Sequence, residues 1–361
     1  MTHSPEELIA AAPDTATPDD AYLKGFWYVA CASRDLKTAK TLHRIILGQP
    51  VLIGRDKAGV AFALQDTCPH RGTLLSRGTF DGTEVECPYH GWRFGTNGQC
   101  TAIPSQRDGQ RPQAHDVRTQ SYPLAEQNSI IWIYIGTKGS EANLSDIPTV
   151  PDIGHRFQLH LRKTFDCNSD LAITGLMDPA HGAFVHASSL WRGHRDVRDK
   201  EKTFSPTPLG WRMDRHTASG NARAYRLFLG GAPETEITYT LPGVRIEHAT
   251  TGKVTYCGLT ACTPIDAHTT DVHHFMYWDV PGGRALRGLV RWVANRFLGQ
   301  DANAVKDMRD GQAFKPTTML VEDADGQIRW YYRLKREWQL AQAENRPFQN
   351  PIQSATLRWR S

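Results

Sequence analysis

From Gly25 onward the chain reads as short apolar runs broken by turn residues. Phe26-Trp27-Tyr28-Val29-Ala30, Pro50-Val51-Leu52-Ile53 and Ile130-Ile131-Trp132-Ile133-Tyr134-Ile135 are β-type stretches separated by Gly, Asp and Asn, which predicts an antiparallel β unit over residues 25–140. The polar segment 141–154, with Pro148 and Pro151, reads as a linker. Beyond it two periods alternate. Residues 158–166 and 223–280 are strand-like, whereas 169–187 and 284–312 repeat apolar positions at helical spacing. Residues 155–361 are therefore expected to form a mostly antiparallel sheet with packed helices, and the whole chain an α+β fold. A turn at Val321 to Gly326, containing Glu322 and Asp323, leads into Ile328-Arg329-Trp330-Tyr331-Tyr332, which reads as a strand. The Ala-, Pro- and Asp-rich residues 1–24 predict a flexible start.

Composition narrows the classes. The chain is 40% hydrophobic and 22% charged, without an apolar run near the roughly 20 residues of a membrane helix, so no membrane span is expected. Met1 to Ala21 lacks the basic start and apolar centre of an export signal, so a cytoplasmic location is expected. A net charge of +4, from scattered Lys and Arg, argues against nucleic acid as a partner. The seven cysteines are odd in number and widely spread, so metal ligation is a better reading than a disulfide framework.

Two cysteines and two histidines stand in paired loops, Cys68-Pro69-His70-Arg71-Gly72 and Cys87-Pro88-Tyr89-His90-Gly91-Trp92. One thiolate and one imidazole per loop suit a [2Fe–2S] cluster in which Cys68 and Cys87 hold one iron and His70 and His90 the other. Replacing two thiolates by neutral imidazoles raises the potential to roughly −150 to +300 mV. A zinc site needs the same four donors, but zinc fingers usually pair Cys with Cys and His with His. Here each loop is mixed, and the hairpin Gly78 to Glu86 joins them.

On these motifs residues 25–140 resemble the Rieske domain of ring-hydroxylating and demethylating oxygenases. Respiratory Rieske proteins carry an extra cysteine in each loop. This chain has Tyr89 beside His90 and no second cysteine near His70, which points to the oxygenase or ferredoxin branch. A ferredoxin would end near residue 140, and this chain continues far beyond it.

The later stretch Asp178-Pro179-Ala180-His181-Gly182-Ala183-Phe184-Val185-His186 is D-x-x-H-x-x-x-x-H. Residues five apart on a regular helix differ by about 140° in direction, so the two histidines share a face only if the helix is distorted. Pro179 and Gly182 are able to distort it. An isolated pair among 15 histidines would more often be structural. The spacing, however, resembles the iron-binding helix of the same oxygenases, in which two histidines and one carboxylate leave positions open for O2.

For the carboxylate, Leu289, Val290, Val293, Phe297, Val305 and Met308 recur at helical spacing, and Asp301 falls within that stripe. Asp307 and Asp310 lie about 120° and 180° away and read as solvated fallbacks. The family's late acidic ligand, in a D-x-x-x-V helical start, is similar to Asp301 to Val305. Asp178, three residues before His181, is placed to accept a hydrogen bond from that imidazole, or else serves as a turn residue before proline. The resemblance makes it the bridge that carries electrons from a neighbouring subunit's cluster in a homotrimer. Where relatives often have an asparagine shortly before this aspartate, this chain has Thr174 and Gly175, so that asparagine's role is not transferred.

What the resemblance implies is a terminal oxygenase with a [2Fe–2S] cluster and one Fe(II), similar to vanillate O-demethylase-like monooxygenases, hydroxylating or dealkylating a small organic substrate with O2. No dinucleotide or flavin motif is present in the sequence, so electrons would come from a separate ferredoxin or NAD(P)H-dependent flavin reductase. Ring dihydroxylation is the second enzymatic reading. A Rieske electron carrier or redox sensor without mononuclear iron is the reading from another class.

Overall fold

The computed structural model describes residues 22–137, 140–151, 159–186, 197–217 and 229–361, the side chain of Arg284 excepted. Most of the expected flexible start, the end of the linker, residue 187 and the strand expected at 223–228 lie outside these residues.

Ten short strands build the first region as three antiparallel sheets. The first has the order β1 (Phe26–Ala32), β10 (Ile130–Ile135), β9 (Leu124–Gln127), and the second is β2 (Lys40–Ile46), β3 (Gln49–Arg55), β4 (Ala61–Gln65). The third runs β5 (Thr79–Phe80), β6 (Glu84–Glu86), β7 (Arg93–Gly95), β8 (Cys100–Ala102). Every residue of β1 and β10 is buried, which is why both read as unbroken apolar runs rather than as alternating strands. Between β9 and β10, Asn128 and Ser129 both adopt positive φ, 54° and 62°, the primed-turn geometry that matches strand twist.

The second region is one eight-stranded antiparallel sheet. Its order is β11 (Leu159–Phe165), β17 (Thr270–Trp278), β16 (Thr255–Pro264), β15 (Val244–Thr250), β14 (Glu234–Thr240), β13 (Gly210–Thr217), β12 (Asp199–Thr207), β18 (Ala355–Arg360). Four helices accompany it among the described residues: α1 (Ser169–Met177), α2 (Gly182–Val185), α3 (Arg287–Gln312) and α4 (Gly326–Ala343). Both faces of the sheet are covered. Val244, Ile246, Leu259, Ala261 and Phe275 pack against Trp27, Val29, Ile130 and Trp132 of the first region. The alternate face, with Leu161, Trp211, Tyr239 and Val272, packs with Ile173, Leu298, Trp330 and Tyr331 of the helices. Each such large apolar side chain contributes about 1.5–3 kcal/mol by leaving water.

Three local expectations are corrected. Ile328 to Tyr332 is helical, because Gln327, Trp330, Tyr331 and Leu334 bury at intervals of three and four, a helix period hidden in a β-rich composition. The helix expected over 169–187 breaks after Met177 and resumes for one turn at α2. The apolar stripe of α3 is buried only at Leu298 and Val305, where the helix crosses β11 and α1; Leu289 and Met308 are 60% and 42% exposed. No helix among the described residues is long and apolar enough to cross a membrane.

Candidate functional site

The loop after β4 and the loop between β6 and β7 have the same backbone bonding. Gly72 N–H donates to the Cys68 carbonyl and Cys68 N–H to the Thr73 carbonyl, both at 2.8 Å. Gly91 N–H donates to the Cys87 carbonyl at 3.1 Å, and Cys87 N–H to the Trp92 carbonyl at 2.8 Å. Gly72 and Gly91 sit at φ +74° and +69°, a region where a Cβ is penalised, so each loop closes on a glycine at the same point.

Donors in the two loops separate into like pairs. Cys68 and Cys87 are both buried; burial, with Cys87 alongside, pushes the Cys68 thiol up to about 11. His70 and His90 are half-buried with ring centroids 4.6 Å apart. Desolvation, then His90 and Arg71, holds the His70 imidazole below its ordinary value, which favours the neutral form that ligates metal. Trp92 stacks on His70 at 4.6 Å with planes 2° apart, and its buried Nε1 has no partner among the described residues. The four donors do not gather within 4.8 Å as those of a single tetrahedral ion would. A thiol pair, an imidazole pair and an unpaired N–H donor fit a two-iron cluster better.

The second site begins where α1 ends. Asp178 leaves helical geometry at ψ 120°, as the residue before a proline is driven to do, and its Oδ1 accepts the Ala180 N–H at 2.7 Å. His181 then opens α2 and His186 closes it, so the break brings together two imidazoles that an unbroken helix would separate. Asp301 arrives from α3. His181 Nε2 and His186 Nε2 are 3.2 Å apart, and Asp301 Oδ1 lies 3.5 and 3.1 Å from them. Neighbouring positions around an octahedral ion with bonds of about 2.1 Å are about 3.0 Å apart, so this triangle fits one face of a single ion and leaves the other open.

Each imidazole has its outer nitrogen held. His181 Nδ1–H donates to the Asp178 main-chain carbonyl at 2.7 Å, and His186 Nδ1–H to Gln300 Oε1 at 3.2 Å, which directs both Nε2 lone pairs to the triangle. The Asp178 carboxylate, expected to take that role, stands off at 3.9 Å from His181 Nδ1. Burial holds it above the usual carboxylate range. Burial lowers and Asp301, then Asp178, raises the His181 imidazole, with the increase prevailing. Burial raises the Asp301 carboxyl, but both imidazoles outweigh it and hold it low. Asp307 is exposed and Asp310 pairs with Arg309 at 2.6 Å, so neither joins the triangle.

Two residues that the sequence reading left without a role matter here. Gln300 fixes His186, and only its adjacency to Asp301 could have flagged it. Gly175 lets α1 and α3 touch: a Cβ there would lie 2.7 Å from Val305 Cγ2, one turn beyond Asp301. Thr174 turns its hydroxyl back to the Asp170 carbonyl at 2.8 Å and is satisfied within α1.

Comparison with known proteins finds relatives for both regions of the chain. Residues 26–123 match the Rieske [2Fe-2S] domain family, and residues 165–337 match the vanillate O-demethylase oxygenase C-terminal domain. A 4beta-methylsterol monooxygenase of Methylococcus capsulatus is 34% identical over 328 residues, 82% of this chain and 83% of that protein. The oxygenase component of dicamba O-demethylase from Stenotrophomonas maltophilia is 36% identical over 185 residues, 50% of this chain and 52% of the relative. A chloroacetanilide N-alkylformylase oxygenase component from Rhizorhabdus wittichii is 36% identical over 178 residues, 47% of this chain and 48% of the relative. The chain thus spans about half the length of these last two relatives. A crystal structure of dicamba monooxygenase bound to dicamba has a TM-score of 0.73 over 89% of this chain and 98% of that one, at 21% identity, which shows a shared fold.

Proposed function

The chain belongs to the Rieske-type non-heme iron oxygenases, and from that membership we propose that it is the terminal oxygenase of a multicomponent system acting on a small organic substrate. Its reaction is hydroxylation, followed by O- or N-dealkylation where the oxidised carbon carries a heteroatom. Relatives named as an O-demethylase, an N-alkylformylase and a sterol monooxygenase support this over ring dihydroxylation.

When bound, the [2Fe–2S] cluster supplies single electrons and the mononuclear iron supplies open positions for O2. Cys68, Cys87, His70 and His90 would hold the cluster, and His181, His186 and Asp301 the iron. The single observation that carries the reading is the triangle of two Nε2 atoms and one Oδ1 with both Nδ1 protons already engaged. Around it, the Phe297 ring lies 4.4 Å from His186. Asp178, half-buried where the helix breaks, is the link to a cluster histidine of a neighbouring subunit in a homotrimer. Half-exposed His70 and His90, beside an exposed Tyr89, form the docking point for a separate ferredoxin or flavin reductase in the cytoplasm.

Iron and acid-labile sulfide per chain test this in anaerobically purified protein. About three irons with two sulfides are expected. Iron equal to sulfide after Fe(II) addition would make the chain an electron carrier, and zinc without sulfide would remove the oxygenase reading altogether.

A further inference from the structure

The two cysteine–histidine loops close alike but are anchored differently. The second stands on a hairpin: its entry β6 and its exit β7 are paired strands, with Glu86 opposite Arg93. The first enters from β4 and leaves into a single turn of 3-10 helix over Leu75–Arg77. No backbone hydrogen bond joins residues 65–67 to 74–78 among the described residues. A side chain stands where that ladder would be. Asp66 Oδ1 accepts the Ser76 N–H at 2.6 Å and so ties the start of the loop to its end, ten residues on. The other carboxylate oxygen, Oδ2, accepts the Nδ1–H of His43 at 2.5 Å. His43 stands on β2, the outer strand of its sheet, so the carboxylate also fastens the loop to a strand that neither enters nor leaves it.

Asp66 is 0% exposed and lies two residues before Cys68 and four before His70. A carboxylate taken out of water is costly unless hydrogen-bonded, and here a backbone donor and an imidazole donor converge on it. His43 is the outer member of the pair, with 39% of its side chain exposed. Two effects follow from this arrangement. Without the carboxylate, Cys68 and His70 are free to shift against Cys87 and His90, because nothing else ties the two ends of their loop together. A buried negative charge this close along the chain also opposes the arrival of an electron, since net charge and hydrogen bonding around a cluster set its potential.

We propose that Asp66, held by His43, is a positioning residue of the electron-transfer site. It fixes the placement of Cys68 and His70 against the second loop and keeps the reduction potential lower than the four donors alone would give. The assignment rests on the reading of Cys68, His70, Cys87 and His90 as cluster ligands.

Full-length protein carrying its cluster is compared with Asp66→Asn, Asp66→Ala, His43→Leu and His43→Asn. Three quantities are read: the rate of sulfide release in the presence of an iron chelator, the reduction potential at one pH, and the electron paramagnetic resonance of the reduced cluster. Asp271→Asn, at a buried carboxylate of the large sheet bonded to Arg162 and Thr164, is the control for a general loss of stability. Asp66→Asn keeps an oxygen for Ser76 but loses the charge. It should hold its sulfide while the reduction equilibrium shifts about tenfold toward the reduced form, about 59 mV for one electron. Asp66→Ala should release sulfide at least about tenfold faster and change the resonance. His43→Leu should speed release by a smaller factor, and His43→Asn, which can still donate to Oδ2, should return it to the parent rate. If Asp66→Ala does not fold, the other three variants carry the test. An Asp66→Asn variant with the parent potential, or sulfide release from His43→Leu no faster than from Asp271→Asn, would overturn the proposal. A parent chain without labile sulfide fails the cluster reading itself, whereas a sulfide-bearing parent whose variants behave like it refutes only the role of Asp66.

Discussion

Cys68 to Thr73 and Cys87 to Trp92 close on themselves through backbone bonds spanning four and five residues, whereas His186 reaches its partner Gln300 across 114 residues of chain. To close, the cluster loops need only a hairpin and two glycines. The triangle needs α1 to break at Asp178-Pro179, α3 to cross it, and Gly175 to let the two helices touch. Closing a longer loop costs more chain entropy, so the second site depends on tertiary packing in a way the first does not. Two metal sites in one chain thus differ in what can damage them.

Separate ligand substitutions probe this contrast most strongly. Cys87→Ser should remove sulfide and the two cluster irons while sparing the third, and Asp301→Ala should remove the third iron while sparing the cluster's visible absorption; both should take turnover to background. Simultaneous loss of both centres in either variant would mean that the sites are not independent. Next in size, Gly175→Ala should cost about 1–3 kcal/mol through overpacking against Val305, read as a lower denaturation midpoint. Iron affinity should weaken with it, and Val305→Ala in the same chain should recover part of both. Gln300→Leu frees His186 Nδ1, and a loss of about 10-fold in iron affinity, with no change at the cluster, is expected. Equal loss of sulfide would contradict the local character of the loops.

The smallest effect is a pH dependence. Because the folded value of His181 is raised, its protonated form stabilises the metal-free protein fully below the ordinary histidine value near about 6.5, and this contribution fades as pH rises through the raised value. Iron must displace that proton, so iron affinity should climb with pH and level off above it. Titrations of metal-free protein at several pH values check this, and a flat profile would show that His181 carries no such proton.

What could be read from sequence follows the same division. Cys68, His70, Cys87 and His90 declare themselves through short spacings, because backbone within each loop supplies the geometry. His181 and His186 were legible as a spacing but not as a shape, since their convergence depends on a break that Pro179 only suggests. Asp301 was found through an apolar stripe whose outer members, Leu289 and Met308, prove exposed; the Leu298 to Val305 turns are the part that packs. Gly175 and Gln300 leave no local trace, because their roles arise only when α1 and α3 meet. At Ile328 to Tyr332 aromatic and branched residues mimic a strand, and the helix period emerges only over a window extending to Leu334 and beyond.

The two covered faces of the large sheet also constrain how such a protein can evolve. In β14 to β17 alternate residues face the helices and the first region, so one inserted residue would turn Thr260 and His274 onto Trp27 and Trp132 and drive Leu259 and Phe275 beneath α1. Change within these strands is therefore confined to substitution. Insertions and deletions are confined to connections such as residues 251–254 and 265–269, where a change of length leaves the register on either side intact.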